Sequence, residues 1–402
     1  MEYLSAKDAA DQWGCTVRWV QQCCKNGTIA GAVKFGKAWM IPQGAPKPAA
    51  FSAADPSAAP ETKEKIRQQD GSRRMVPLLS MAFAPGECLE SIQAIAEQNE
   101  QKIALAEYFY FTGQAERAAE MMELYHEADD PYLWYSAGLL YTVANLAQNC
   151  IQLAHLALER LWMRMCEDLE SGAPKEQLAL AVFTVTAVDV VMCASLTELP
   201  PLEEYISYLP EGLKVFSCYL LACDACLNGN YERALAIADI GTALYADRYL
   251  VASVYVCLAG IMALMAMKQT GEAKRRFADV WEISRRDDLL QPFGEHHRLL
   301  HGLVELFFKR EHPADYARIV RITYRASDGW QKTHEADLHG QMPDSLTAME
   351  FTIAMLANRG WTNKEIAAHM QFSVNTVKYY MSVIYQKLDI ANRNELKQFL
   401  IR

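Results

Sequence analysis

The residues best suited to chemistry lie near the carboxy end, where Asn375, Lys378, Tyr379, Ser382 and Gln386 recur at helical spacing. At 3.6 residues per turn they fall on one ridge, rich in hydrogen-bond donors and free of acids. Such a ridge suits base edges in a major groove. Opposite it, Val374, Val377, Met381, Ile384 and Leu388 repeat at alternating intervals of three and four, an apolar stripe that would hold the helix on a core. Two other constellations are weaker. Cys223 and Cys226 have the spacing of half a zinc site, with Cys218 close by, but no second pair follows, and buried thiols are the favoured reading. His297 and His301 stand four apart beside Glu295 without the intervening Glu of a metalloprotease helix, so no metal is expected there. No phosphate-binding Gly-x-x-x-x-Gly-Lys loop and no Ser/His/Asp, Cys/His or paired-carboxylate arrangement stands out. An enzyme is not expected, and no cofactor is implied.

The ridge needs a scaffold, and the preceding residues supply one. Thr347-Ala-Met-Glu350 and Thr362-Asn-Lys-Glu365 each fit the capping box that starts a helix. Gly360 ends the first of these helices, and Ser373 caps the long one after a turn through Gln371 and Phe372. The result is a helix-turn-helix whose second helix is exposed and basic.

Four blocks in order, Gly360-Trp-Thr-Asn-Lys-Glu-Ile-Ala367, Phe372-Ser-Val-Asn-Thr-Val-Lys378, Ile384-Tyr-Gln-Lys-Leu388 and Asn392-Arg-Asn-Glu395, resemble the LuxR-type DNA-binding domain over residues 344–402. The resemblance implies a four-helix domain in which Lys378, Tyr379 and Ser382 meet base edges while Lys364 and Thr376 meet phosphate. It also implies that the last helix, from Arg393 through Leu396, Phe399 and Leu400, pairs two copies on double-stranded DNA. Met349 replaces a customary Arg and Tyr380 a customary His, which leaves the fold intact and the operator unreadable.

Residues 1–42 repeat the logic in a smaller frame. Ser5-Ala-Lys-Asp8 can cap a helix to Trp13, Gly14 turns the chain, Thr16 starts a second helix, and Val33–Pro42 reads as a two-stranded ribbon with Gly36 at its tip. This resembles excisionase-like and MerR-like winged domains, which implies Arg18 and Gln22 in a groove and Lys34 and Lys37 on backbone phosphates.

Residues 43–74 hold Pro46, Pro48, Pro56 and Pro60 among Ala and Ser and read as a flexible linker. From 75 to 337 helix follows helix, and Gly113-Gln-Ala, Gly229-Asn-Tyr and Gly271-Glu-Ala each open a new one, with a unit close to 40 residues. The expected fold is therefore all-α: a tetratricopeptide-like solenoid between a winged helix-turn-helix and a LuxR-type domain. Leu289-Leu-Gln-Pro-Phe-Gly-Glu295 resembles the end of the helical-repeat domain in maltose-regulator-class activators. Tyr249–Met267 carries no charge over 19 residues. A buried repeat helix is the expectation there, rather than a membrane span.

Charge separates these parts. Residues 1–48 hold six Lys or Arg against three acids, residues 344–402 seven against five, and the rest 26 against 41, within a total of −10. The ends suit a polyanion and the middle does not. The 11 cysteines show no framework, and Met-Glu-Tyr-Leu-Ser opens without a basic and apolar leader pattern, so a reduced cytoplasmic setting is expected. The function these features point to is a bacterial transcription regulator, dimeric on DNA, whose middle senses a small-molecule effector or a protein partner such as RNA polymerase or another regulator. The rival reading is a helical-repeat adaptor whose terminal domains dock onto proteins. A further expectation is that the helix around His297 and His301 masks the pairing surface at Leu396 and Leu400.

Overall fold

The computed structural model describes residues 3–13, 17, 20, 24, 29, 32–35, 38–43, 45, 75–192, 194, 196, 199–245, 248–333 and 346–398. Arg18, Gln22, Lys37, Phe399, Leu400 and residues 46–74 lie outside the described residues. The chain divides into two compact units, Met1–Glu61 and Thr62–Arg402.

In the first unit, β1 (Tyr3–Ser5) leads into α1 (Ala6–Trp13), and β2 (Val33–Phe35) and β3 (Ala38–Pro42) form an antiparallel hairpin. Ser5 Oγ accepts from the Asp8 N–H at 3.2 Å while the Asp8 carboxylate accepts from the Ser5 N–H, so the anticipated cap forms reciprocally. The sheet has three strands in the order β1-β3-β2, one more than the sequence suggested. Leu4 pairs with Ile41, which gives the hairpin's outer edge a partner and seats Ile41 among Ala6, Ala9, Ala10, Val20 and Cys24 in a small core.

The second unit is helical. In chain order its helices are α2 (Pro77–Ser80), α3 (Cys88–Gln93), α4 (Gln98–Phe111), α5 (Ala115–Met122), α6 (Pro131–Ala147), α7 (Ile151–Ser171), α8 (Lys175–Met192), α9 (Glu211–Leu227), α10 (Tyr231–Tyr245), α11 (Leu250–Ala266), α12 (Thr270–Ser284), α13 (Gln291–His296), α14 (Leu303–Glu311), α15 (Pro313–Thr333), α16 (Ala348–Asn358), α17 (Asn363–Met370) and α18 (Val374–Leu388). Neighbours in sequence pack on one another, as short connections require. Thus α4 lies on α5, α5 on α6, α9 on α10 and α10 on α11.

Four connections share one device. Gly113, Asn149, Gly229 and Lys268 each take a left-handed conformation (φ between 60° and 80°) two residues before the next helix begins. They lie 36, 80 and 39 residues apart, which preserves a recurrence near 40. Gly271, which the sequence placed in this series, lies instead inside the first turn of α12, and Lys268 occupies the turn. The glycine misled because the turn needs a left-handed residue, and here a lysine supplies it.

The uncharged stretch 249–267 forms α11, with Leu250–Met265 buried almost throughout. It packs against α9, α10 and α12, and a helix covered on several sides is apolar all round. Among the described residues no helix is long and apolar enough to cross a membrane.

Polar groups stitch the body internally. The Glu107 carboxylate, fully enclosed, accepts from the Leu78 and Leu79 N–H groups at 2.8 and 3.0 Å, and burial pushes it up to about 8. Glu295 joins Tyr110, Tyr255 and Gln291, and Tyr219 meets His296 at 3.0 Å.

Candidate nucleic-acid interface

Residues 346–398 fold as two capped helices, the long helix α18 and a tight final turn. Both capping boxes form. Thr347 and Glu350 bond reciprocally at 3.3 and 2.7 Å, and Thr362 and Glu365 at 3.2 and 2.6 Å. The Ser373 hydroxyl accepts from the Thr376 N–H at 3.0 Å and caps α18. Gln371 and Asp389 take left-handed conformations at the ends of α17 and α18. These local rules fix where each helix begins and ends, and so which face of α18 turns outward.

Val377, Met381, Ile384 and Leu388 are buried, and Val374 is partly so. Asn375, Lys378, Tyr379, Ser382 and Gln386 face solvent, with Tyr379 the most open at 66%. The structure therefore brings these residues together on one exposed ridge. Lys364 is exposed at the start of α17, and Thr376 is half-buried, its hydroxyl 2.8 Å from Ser373 Oγ. The Ser382 hydroxyl donates to the Lys378 carbonyl at 3.1 Å and keeps its acceptor capacity. Among the described residues neither Lys364 nor Lys378 has an ion-pair partner. In the first unit, Lys34 is exposed with its ammonium 5.9 Å from the centre of the Trp39 ring.

Several supporting residues escaped the sequence reading. The Glu350 carboxylate, besides closing its capping box, accepts from Lys387 Nζ at 2.7 Å and thereby ties the start of α16 to the end of α18. Arg393 donates to the Ala357 carbonyl at 2.8 and 3.0 Å and also to the Trp361 carbonyl, which satisfies the end of α16. Tyr380 stacks on Phe372 with ring centres 6.1 Å apart. Met349, in place of an Arg, is buried.

Leu396 is fully buried, in a tight turn (Arg393–Gln398) that packs on α16. Its side chain serves the packing of a single chain and is not presented at the surface for pairing.

The contacts between this domain and the helical body fall on its back, at α16 and α17. His369 Nε2 donates to the His301 carbonyl at 2.8 Å, and Arg359 bonds His301 Nε2. Thr352 Oγ1 donates to Glu305 Oε1 at 3.2 Å, and that carboxylate also meets His297 Nε2 at 2.6 Å. Lys268 Nζ reaches Glu365 at 3.0 Å and lies 5.7 Å from the centre of the Trp361 ring. Gly302 (φ +85°) makes the closest approach: a Cβ there would lie 2.5 Å from Met370 Sδ and 3.0 Å from Thr352 Cγ2. The expected masking of Leu396 is thus not the arrangement seen, because the body grips the helices that precede the ridge. His297 and His301, which stand four apart in the sequence, serve this contact. Among the described residues no cluster of His, Cys, Asp or Glu is placed to hold a metal.

Burial holds His369 down to about 4, helped by Lys274 and opposed by the His301 carbonyl and Glu305. Burial also holds His301 well below the usual imidazole range, with Arg359 and His369 adding to it. Burial works against the Glu305 carboxylate, yet the contacts with His297 and Thr352 leave it below the ordinary range.

Residues 344–400 match the family described as bacterial regulatory proteins, luxR family. Relatives include the probable transcriptional regulatory protein SgaR of Hyphomicrobium methylovorum, 46% identical over 50 residues, 12% of this chain and 24% of that protein. The response regulator protein VraR of Staphylococcus epidermidis is 27% identical over 100 residues, 23% of this chain and 48% of that protein. VraR of Staphylococcus saprophyticus is 26% identical over the same shares. The chain spans at most about half the length of these relatives. No solved structure gives a significant match. Residues 344–400 are a LuxR-type helix-turn-helix domain.

Proposed function

We propose that the chain is a sequence-specific DNA-binding transcription regulator in which the helical body carries a LuxR-type reader and adjusts it in response to an effector. The observation that carries this reading is the acid-free ridge Asn375, Lys378, Tyr379, Ser382 and Gln386, exposed on a helix whose start and depth are fixed by caps and core. A helix of that kind fits the major groove. The family match and the relatives' names support the same reading. Pairing of two copies on DNA and a second contact through the first unit at Lys34 belong to the reading, as does a cytoplasmic setting. The adaptor alternative gains nothing from the structure, since a protein dock has no need of a donor ridge kept clear of acids.

The test is genome-wide mapping of bound DNA for the full chain and for the chain lacking residues 344–402. Discrete sites that vanish with the deletion are expected. Sites retained without the reader would overturn the proposal.

A further inference from the structure

A cleft opens where α15 crosses the α4–α5 turn and the first residues of α13, bounded by Thr112, Gln291, Arg318, Arg321, Ile322 and Arg325. Its enclosed volume is about 70 Å³, room for a small anion and too little for a drug-sized ligand. Ile322 fixes the floor, wedged against Gly113 and Gly294.

The charges along this wall are unequally matched. Arg318 is neutralised: its two Nη atoms bond both Asp288 oxygens at 2.6 and 2.5 Å, with Asp315 at 3.8 Å. Arg321 and Arg325, both exposed, have no hydrogen-bond or ion-pair partner among the described residues. Four apart on one helix face, they repel each other. Among the described residues, two guanidinium groups thus stand uncompensated side by side at the mouth of a cleft, in a body whose net charge is otherwise strongly acidic.

We propose that this cleft binds a small doubly charged anion, a phosphate monoester or a dicarboxylate, clasped by Arg321 and Arg325, as the effector of the body. The planar forks of two arginines match either group through paired hydrogen bonds, and two free positive charges match a phosphate monoester's charge of about −2 near neutral pH. A route to the reader is built into the same helix. Thr323, on the far side of α15, lies 2.9 Å from His297 Nδ1, and His297 passes through Glu305 to Thr352 of the reader. An anion that draws α15 toward the cleft therefore acts on the group that holds the reader's back.

The proposal rests on the body being the effector-sensing part, and its test reads the ligand without DNA, so that its failure is distinct from failure of DNA reading. The full chain is titrated with inorganic phosphate, glycerol 3-phosphate and succinate at constant ionic strength, followed by calorimetry. Saturable binding of at least one of these is expected, about 10- to 100-fold weaker in the Arg321→Ala, Arg325→Ala double variant. The single variants Arg321→Gln and Arg325→Gln, each at an exposed position, guard against a folding defect in the double variant and should each lose part of the affinity. Binding of the phosphates alone assigns phosphate chemistry, and binding of succinate alone assigns carboxylate chemistry. No saturable binding of any of the three, or equal binding by wild type and variants, overturns the proposal.

Discussion

Lys378 stands in solvent without a carboxylate beside it, on the ridge and one turn before Ser382. If it reads a base edge, Lys378→Ala weakens specific binding by about 1–3 kcal/mol. The comparison is a pair of binding isotherms on one operator at one salt concentration, and unchanged specific affinity removes Lys378 from the interface. Lys268 carries a different prediction because it meets two demands. It holds a left-handed backbone (φ 60°) that favours glycine, and it sends its ammonium to Glu365 and Trp361 of the reader. Lys268→Gly should relax the body's backbone by up to about 1 kcal/mol while loosening the reader, seen as faster amide exchange in α17 at undiminished global stability. Slower exchange there would show that the lysine is a passive turn residue. These two residues also mark what the sequence could disclose. The ridge was legible because helical periodicity is local, whereas nothing in the string Met-Lys-Gln-Thr tells that Lys268 takes a glycine's place in order to meet a partner 97 residues away.

Between elements, the decisive contact is the seam of α16 and α17 on the loop at His301 and Gly302. Gly302→Val places a branched side chain where Met370 and Thr352 now sit, at a φ that a β-branched residue resists. It should detach the reader's back while leaving the ridge intact, and limited proteolysis between residues 333 and 346 should accelerate. An unchanged cleavage rate would mean that the seam is not what holds the domain. Acid offers a second route. His369 is held at about 4 against an unfolded value near 6.5, so protonation favours the undocked or unfolded state. The contribution is fully present above pH 6.5 and is lost as pH falls from 6.5 toward 4, on the order of 3 kcal/mol for this group, with His301 acting in the same direction. Thermal unfolding followed across that window should show the loss, and His369→Gln should flatten it; an equal slope in the variant assigns the effect elsewhere. The capping boxes that start α16 and α17 could be read directly from Thr-x-x-Glu, because a cap is made within four residues. The seam could not, since its partners lie 47 to 97 positions apart and leave no periodic trace. The same holds for Leu396, whose apolar spacing suited a pairing face equally well as the core it occupies.

For the molecule as a whole, charge sets the terms. With Lys378 given to a base edge, the described cations the reader has left for phosphate are Lys364 and Lys397, since Lys387 is held by Glu350 and Arg393 by backbone carbonyls. The logarithm of affinity should therefore fall against the logarithm of salt with a slope of roughly −2 per copy. A slope twice as steep would bring the basic first unit onto the duplex as well. Gripping the reader from behind has one more result. Because Lys268 touches Glu365, the neighbour of Lys364, a chain seated on an operator carries its helical body alongside the reader instead of releasing it. The stretch nearest that contact, residues 268–288, holds six Lys or Arg against five acids, so what it brings to the flanks is bulk rather than repulsion. Each occupant of a promoter then behaves as a bead with a padded rim, and two sites set closer than the padding admit one tenant at a time, so the spacing of operators is constrained by parts of the protein that never read a base.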